Sequence, residues 1–244
     1  CRPDGRAVGK TSPPPDTDTS APAGDTGDTG RPPEPAEAFD IGVWVTVATD
    51  ERVTVTVVKN EMGQGIATGM AMVVAEELDA DWESVRVVLG ADLGETDLPG
   101  GSNGTWGSTS MSDSYRHLRT IGATARAVLV EAAATVWGVS PDELSTTTGA
   151  VVHPELGRLT YGALAELAST LALPSSAPLK DEADFRIVGQ ETVRLDIVDH
   201  VHGQTVYGMD VVVDGMLHAA VLQSPVFGGE VANLDALSVD GTEA

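Results

Sequence analysis

The order of hydrophobic patterns in residues 41–89 constrains the fold of this chain more than any other feature. Residues 41–48 and 52–58 alternate β-branched and polar side chains on either side of a polar break, which is typical of a β-hairpin. Apolar residues from Ile66 to Leu78 then recur at helical spacing, and residues 85–89 form a short apolar run. This strand–strand–helix–strand order predicts an α+β fold, a two-layer domain with helices laid on one sheet.

Two more helices are predicted downstream. Residues 113–137 carry one apolar face, and Gly138 is placed to end that helix. Residues 160–170 form a short amphipathic pattern. Between them, the sequence from Ser140 to Glu143 is typical of a capping box with proline at the first helical position.

Charge and cysteine content exclude several classes of function. The chain has 14 Lys and Arg against 37 Asp and Glu, a formal net charge of −23, and phosphate binding needs a basic face. We therefore expect no nucleic-acid partner. The single cysteine is residue 1, which excludes an internal disulfide and any four-thiolate zinc or iron–sulfur site. The sequence contains no run of about 18 apolar residues, which is the length needed to span a bilayer.

The first 38 residues differ in composition from the rest. Eight of the 14 prolines lie there, among Gly, Asp, Thr and Ser, so residues 1–38 are predicted to form a disordered tether. A chain that starts at Cys1 and continues as a tether resembles a mature bacterial lipoprotein, in which that cysteine carries the acyl chains. Lipidation of Cys1, a membrane anchor and a periplasmic or cell-surface location are the corresponding expectations.

Two glycine-rich segments are candidate ligand sites. In NEMGQGIATG (60–69), Gly63 and Gly65 permit close backbone approach, and the amide of Gln64 suits a neutral hydrogen-bonding group. Thr68 adds a hydroxyl in the first helical turn. In GTWGSTSMS (104–112), backbone amides and hydroxyls precede a second helix, so both helix starts could meet a phosphate-bearing ligand. A purely structural turn explains residues 63–65 equally well, because neither segment is a nucleotide fingerprint.

Several charged residues have open interpretations. Glu61, Glu76 and Glu77 are candidate acid–base groups. Glu76 and Glu77 are adjacent, and we expect at least one of these two to be solvated. Arg116 and Arg119 lie on the start of the second helix, where they either reach an anion or lie on the surface. His200 and His202 are expected to be strand residues rather than a metal pair, because no third ligand is near in sequence.

The sequence resembles a known family over residues 39–244. The blocks EMGQGIATGMAMVVAEELDADWESVRV (61–87) and GGSNGTWGSTSMSDSYRHLRTIGATARAVLVEAAATVWGVSPDEL (100–144) are similar to the molybdopterin-binding subunit of the xanthine dehydrogenase/aldehyde oxidase family, isoquinoline 1-oxidoreductase β-subunit type. The resemblance implies that the molybdenum–molybdopterin cofactor, with the cytosine dinucleotide as one candidate form, contacts Gly63, Gln64, Gly65, Thr68, Gly107, Ser108, Thr109 and Ser110.

The resemblance also implies an activity and partners. Members of this family oxidise N-heteroaromatic compounds or aldehydes with water-derived oxygen and pass electrons to an iron–sulfur partner. The implied partners are a [2Fe–2S] small subunit, the remaining part of the large subunit, and a cytochrome c as a candidate acceptor. The family's catalytic glutamate lies in a later glycine-rich motif without a counterpart here, so no catalytic residue is assigned and this chain alone is expected to be inactive.

The resulting division has three parts. Residues 1–38 are the tether, 39–180 the molybdopterin-binding domain, and 181–244 a linker and incomplete α/β hammerhead domain with a strand-rich end. The motif SPVFGGEV (224–231) is assigned to that domain rather than to the cofactor. The alternative to an enzymatic function is a non-catalytic, membrane-tethered α+β binding module descended from the enzyme.

Overall fold

The computed structural model describes residues 36–90, 104–219, 221 and 223–230. Cys1 and nearly all of the proposed tether lie outside the described residues. The regular structure begins at Ala38, the last residue that the sequence assigned to the tether. The Thr49 N–H donates to the Glu37 carbonyl at 2.8 Å, so the main chain is already paired there.

A four-stranded sheet forms one layer of the molecule. Its strands are β1 (Ala38–Asp40), β2 (Val45–Ala48), β3 (Val53–Val57) and β4 (Val85–Leu89), in the spatial order β1-β2-β3-β4. The pairs β1/β2 and β2/β3 are antiparallel, which confirms the predicted hairpin. Strand β4 is parallel to β3, with Val53 opposite Val85 and Val57 opposite Leu89. A parallel neighbour requires a crossover, and the helix between these strands supplies it.

Three helices pack against this sheet and one another. They are α1 (Ile66–Leu78), α2 (Ser110–Trp137) and α3 (Tyr161–Thr170), so the predicted α+β class is confirmed. The C-cap of α2 is Gly138 in the left-handed conformation, and Ser140 and Glu143 form the predicted capping box. Helices α1 and α2 approach closely at Gly122, where a Cβ would lie 2.4 Å from the Val74 carbonyl oxygen.

A second, three-stranded sheet was not predicted from the sequence. Its strands β5 (Ser145–Thr147), β6 (Ala150–His153) and β7 (Gly157–Thr160) are antiparallel and consecutive. Strands of three or four residues joined by tight turns leave too little periodic pattern to read. The chain then enters α3, where the buried Tyr161 hydroxyl donates to the Leu78 carbonyl at 2.6 Å.

Residues 178–196, here called the strap, run along α1. Both Glu76 and Glu77 are fully buried beneath the strap, so the expectation that at least one is solvated was wrong. Glu76 accepts from Lys180 Nζ at 2.6 Å, and Glu77 accepts from Arg119 Nε at 2.6 Å and from the Lys180 N–H at 2.9 Å. The Glu76 carboxylate also accepts three strap N–H groups, those of residues 186–188. Cationic and N–H partners for both carboxylates make their burial tolerable.

The chain after the strap differs from the expected strands. It forms a short helix, α4 (Ile197–Val201), and no strand occurs in the described part of residues 181–230. His200 lies in α4 and His202 at its C-cap, so their assignment to a strand was wrong. The incomplete hammerhead domain stays a prediction. Among the described residues, no helix combines the length and the apolar character that crossing a bilayer requires.

Candidate functional site

The structure brings the two glycine-rich segments together. Lys59, buried at the end of β3, donates from Nζ to the Gly104 carbonyl at 3.0 Å. The Asn60 N–H donates to Thr105 Oγ1 at 2.9 Å. A little further on, a Cβ at Gly69 in α1 would lie 3.1 Å from the terminal methyl group of Met111 in α2. The starts of α1 and α2 are therefore neighbours, an arrangement that would allow both to contact one ligand.

The turn between β3 and α1, residues 60–65, leaves its backbone open to approach. Gly63 and Gly65 have φ values of 96° and 81°, which residues other than glycine rarely adopt. A Cβ at either position would meet no heavy atom within 4 Å, so a ligand has room beside both peptide groups. Both glycines thus combine the conformation and the free space that the cofactor interpretation requires.

Glu61 occupies the inner side of this turn. Its Oε1 accepts from the N–H groups of Gly63 at 2.8 Å and Gly65 at 2.9 Å, and its Oε2 accepts from the Ala67 N–H at 3.0 Å. Burial opposes its ionisation, but the N–H groups of Gly65, Ala67 and Gly63 and the charge of Arg194 outweigh burial and lower the pKa of Glu61. Glu61 is therefore an ionised cap for the start of α1.

Gln64 closes the outer side of the same turn. Its Oε1 accepts from the Met62 N–H at 2.6 Å, and its Nε2 donates to the Asn60 carbonyl at 2.9 Å. An amide offers two acceptor sites and two donor hydrogens, so one of each remains for a ligand. Gln64 is exposed, and this orientation presents a neutral hydrogen-bonding group to solvent.

The end of the strap is bound to the turn and to α1. Arg194 Nη1 donates to the Gly63 carbonyl at 2.9 Å, and Arg194 Nη2 lies 3.5 Å from Glu61 Oε1. The Leu195 N–H donates to Thr68 Oγ1 at 3.1 Å. Thr68 is buried, so its hydroxyl oxygen binds the strap in this structure rather than facing open solvent.

A cleft of about 900 Å³ lies beside the turn. Its walls come from the turn and α1, from β4, and from the segment that includes α4. Gly63 and Thr68 are among its lining residues, and Gly107, Ser108, Thr109 and Ser110 are not. The cleft wall contributed by the downstream segment includes His200, whose ring packs edge-on against Tyr207 with the centroids 6.1 Å apart.

The serine-rich segment forms the start of α2. Gly107 and Ser108 have φ values of 64° and 57°, and they turn the chain into the helix. Thr109 is the N-cap, without a hydrogen bond from its side chain to the helix, and Ser110 is the first helical residue. The N–H groups at the start of α1 donate to Glu61, whereas the start of α2 has no side-chain cap among the described residues. This segment therefore retains the donors that an anionic group needs.

The two candidate arginines have different environments. Arg119 is mostly buried and binds Glu77 and the Lys180 carbonyl. Its anionic partner is therefore a buried carboxylate of this chain rather than a ligand. Arg116 is exposed on α2. Among the described residues, no group of three or more His, Cys, Asp or Glu side chains is placed to hold a metal ion.

Sequence reasoning missed two contributors to the site. Arg194 lies more than a hundred residues from the turn that it binds, and no local pattern connects them. The role of Lys59 was also missed, although a lone lysine at the end of an apolar strand is a signal that could have raised the question. Glu61 was considered only as an acid–base group, while its position before a glycine-rich helix start is typical of a cap.

Comparisons with known proteins give a consistent result. Residues 23–216 match the family model described as molybdopterin cofactor-binding domain. The chain is 35% identical over 245 aligned residues to the beta subunit of isoquinoline 1-oxidoreductase from Brevundimonas diminuta, covering 83% of this chain and 31% of that protein. It is 32% identical to the membrane-bound aldehyde dehydrogenase [pyrroloquinoline-quinone] of Gluconacetobacter polyoxogenes, covering 85% and 26%.

Two further proteins are similar to this chain. A nicotinate dehydrogenase subunit of Pseudomonas putida KT2440 is 31% identical, covering 82% of this chain and 17% of that protein. The chain therefore spans less than a third of the length of each of these relatives. The solved structure of quinoline 2-oxidoreductase from Pseudomonas putida 86 matches 55% of this chain and 17% of that chain at 16% identity, with a TM-score of 0.39.

Proposed function

The chain belongs to the family of molybdopterin cofactor-binding domains, and from that premise we propose that it holds the cofactor in a molybdenum hydroxylase. The family match confirms the resemblance read from the sequence. The proposed enzyme oxidises N-heteroaromatic compounds or aldehydes, the classes that appear in the names of its relatives as isoquinoline, nicotinate and aldehyde. All three relatives are named as oxidoreductases or dehydrogenases.

One observation carries this proposal: the two segments assigned to the cofactor are adjacent in space, and the first of them lines a large cleft. Asn60 binds Thr105, and Gly69 lies against Met111, so the starts of α1 and α2 form one surface. Segments that are about 40 residues apart in the chain have no purely local reason to be adjacent. Their juxtaposition supports a shared ligand.

The donors present fit molybdopterin. The neutral amide of Gln64 suits the neutral hydrogen-bonding edges of a pterin, and the free space beside Gly63 and Gly65 allows its approach. The hydroxyls of Ser108, Thr109 and Ser110 suit its phosphate. When bound, the molybdenum cofactor would supply the redox chemistry of hydroxylation with water-derived oxygen. The described residues of this chain would bind and orient it.

Partners follow from the same proposal. Two of the relatives are named as subunits, which supports further chains in the assembly. We propose an iron–sulfur small subunit as the electron acceptor, because this chain lacks the cysteines for a cluster of its own. The rest of the large subunit would complete the cofactor pocket and supply the catalytic base.

The proposal is tested by identifying the bound cofactor. Molybdenum and pterin are quantified in the full-length protein purified with its partner subunits, for the wild type and for Gln64→Ala. We expect near-stoichiometric molybdopterin in the wild type and a several-fold lower content in Gln64→Ala. The matched control is Gln190→Ala, which removes an exposed amide from the strap. Mass spectrometry of the released cofactor also detects pyrroloquinoline quinone, the group in the name of one relative.

Three results would contradict the proposal. Fully assembled protein without molybdenum would favour a non-catalytic binding module. Pyrroloquinoline quinone in place of molybdopterin would assign a different cofactor. Equal molybdopterin content in Gln64→Ala, Gln190→Ala and wild type would remove Gln64 from the site.

We also propose that residues 181–244 begin an α/β hammerhead domain completed by the rest of the large subunit. The support is the exposure of apolar side chains after the strap: Val206, Val212 and Leu217 are 70%, 83% and 91% exposed. Strands need partners, and exposed apolar runs need cover. We expect amide exchange at residues 205–219 to be slow in the full-length protein and fast in the 244-residue chain. Fast exchange in both would contradict the proposal.

A further inference from the structure

The Glu61 carboxylate holds the turn from the N–H side. Its two oxygens accept from Gly63, Gly65 and Ala67 at 2.8, 2.9 and 3.0 Å, and only 12% of its side chain is exposed. Three N–H groups directed at one carboxylate fix the orientation of three peptide groups at once. Hydrogen bonds to an ionised acceptor are also stronger than those to a neutral one.

Arg194 holds the same turn from the carbonyl side. Its Nη1 donates to the Gly63 carbonyl at 2.9 Å, and Asp196 fixes the guanidinium through two hydrogen bonds, Nε to Oδ1 at 2.9 Å and Nη2 to Oδ2 at 2.6 Å. Arg194 Nη2 also lies 3.5 Å from Glu61. The peptide groups of the turn are therefore bound by one anion and one cation that also contact each other.

We propose that Glu61 is a positioning residue of the site: it fixes the backbone of residues 63–67 in the open conformation that receives the cofactor, and Arg194 completes this fixation. The inference rests on the proposed function, in which this turn contacts molybdopterin. Glycines allow the required φ values but do not select them, because glycine populates many conformations in an unrestrained chain. The Glu61 carboxylate selects these φ values because it binds the N–H groups of the turn.

This role distinguishes Glu61 from a proton-transfer group. Both of its oxygens are already bonded to N–H groups, and Arg194 on the strap forms an ion pair with it at 3.5 Å. The neighbours that lower its pKa also keep it ionised and bound to the turn across the neutral range. Glu61 acts through the backbone of the turn rather than on a substrate.

The position of Glu61 also decides which part of a ligand can meet this turn. An anion at the start of α1 would approach an ionised carboxylate and would have to displace it, which like-charge repulsion opposes. The turn therefore selects a neutral edge of the cofactor. The phosphate is left to the start of α2, where the N-cap residue Thr109 makes no side-chain hydrogen bond to the helix.

Hydrogen exchange followed by mass spectrometry tests the inference in the full-length protein. Glu61→Gln keeps the size of the side chain but removes its charge and replaces one acceptor oxygen with a donor. We expect amide exchange at residues 62–68 to become about tenfold faster, with the exchange of α2 unchanged. The control is Glu166→Gln, an identical change at an exposed position of α3, which should leave exchange at residues 62–68 as in the wild type.

A second variant keeps the test decisive if Glu61→Gln fails to fold. Arg194→Gln removes the donor to the Gly63 carbonyl and leaves Glu61 in place, and it should accelerate exchange at the same residues to a smaller extent. In folded variants, molybdopterin content should fall in the same order, Glu61→Gln below Arg194→Gln. Unchanged exchange at residues 62–68 in Arg194→Gln, or in a folded Glu61→Gln, would overturn the inference.

The failure of this inference can be separated from that of the proposed function. The exchange comparison is made on cofactor-free protein as well as on loaded protein. Wild-type protein that never contains molybdopterin would refute the proposed function, whereas the exchange rates would still show whether Glu61 fixes the turn.

Discussion

At Gly122 the backbone of α2 lies against α1, and a single added methyl group has no space. A Cβ there would lie 2.4 Å from the Val74 carbonyl oxygen and 2.8 Å from Glu77 Cβ. Neither neighbour can rotate away, because one is backbone and the other is the first side-chain atom. The close approach of the helices that carry the two halves of the site therefore depends on this one residue.

Replacing Gly122 with alanine should destabilise the chain although alanine favours helix. We expect the free energy of unfolding to fall by about 1–3 kcal/mol, because the helices must separate to admit the methyl group. The measurement is chemical denaturation of Gly122→Ala beside Gly69→Ala. At Gly69 the neighbour is the flexible end of Met111, at 3.1 Å, so the change should stay within about 1 kcal/mol of the wild type. Equal stability of the two variants would contradict this account.

The burial of Glu76 and Glu77 could not be predicted from either residue and its neighbours in sequence. Adjacent positions on a helix lie about 100° apart, so an isolated amphipathic helix would expose at least one of them. Here the strap covers one face and α2 the other, and both carboxylates are buried. Their partners Lys180 and Arg119 come from parts of the chain over 40 residues away.

At the scale of elements, carboxylates at both ends of α1 connect the helix to neighbouring parts of the chain. Glu61 caps its first turn, and Glu76 and Asp79 bind Lys180 at its last turn. Arg186 also pairs with Asp79. The strap therefore runs the length of α1, and its far end delivers Arg194 to the turn. The strap belongs to the architecture of the site rather than serving as a loose connection.

Glu76 should be a principal anchor of the strap. Replacing it with glutamine removes the carboxylate that lies 2.6 Å from Lys180, leaves Lys180 with Asp79 at 2.9 Å, and weakens the hydrogen bonds from three backbone N–H groups. We expect a loss of about 3 kcal/mol in the free energy of unfolding. Glu83→Gln, at an exposed position after α1, should change it by less than about 0.5 kcal/mol. Denaturant titration of both variants checks this, and a Glu76→Gln variant as stable as Glu83→Gln would refute it.

The end of α2 depends on a left-handed residue. Gly138 has a φ of 69°, and its N–H donates to the Ala134 carbonyl at 2.8 Å. Gly138→Ala should cost about 1 kcal/mol, because an L side chain is strained in this conformation. Asparagine tolerates it better, so Gly138→Asn should cost less. Thermal unfolding of the two variants gives the comparison, and an alanine variant as stable as the asparagine variant would count against this cap.

For the whole molecule, the buried carboxylates predict sensitivity to acid. Burial opposes ionisation of Glu76 and Asp79, but the hydrogen bond from Lys180 leads the interactions that outweigh burial and lower the pKa of each group. A lowered folded pKa means that the unfolded chain binds protons first as the pH falls. Their contribution is fully present above the ordinary values of 4.5 and 3.8 and is lost as the pH falls through the folded pKa values.

The free energy of unfolding should therefore decline steeply below about pH 4. Denaturant titrations at a series of pH values from about 6 to 3 measure the decline. The Glu76→Gln variant should lose less stability than the wild type over this range, because one of the titrating groups is gone. Equal declines in the two proteins would show that Glu76 is not linked to the transition.

The elements of the first half were predictable because their signals are local. The alternating hairpin, the apolar period of α1, the glycine after α2 and the capping box at Ser140 each lie within a few residues of the structure that they specify. The β5–β7 sheet was missed, since strands of three or four residues carry almost no period. The strands expected after residue 202 were inferred from composition, and extended chain becomes a strand only when a neighbour pairs with it.

The sequence by itself determined the α+β class, the main helices, the glycine-rich turn and the family, because each follows from short-range pattern or motif. The tertiary structure alone decided that the starts of α1 and α2 meet, that both Glu76 and Glu77 are buried, and that Arg194 holds Gly63. The physical reason is the range of the interactions. Propensity and capping act within about one helical turn, whereas ion pairs and close packing join residues whose separation in the chain carries no record of their contact.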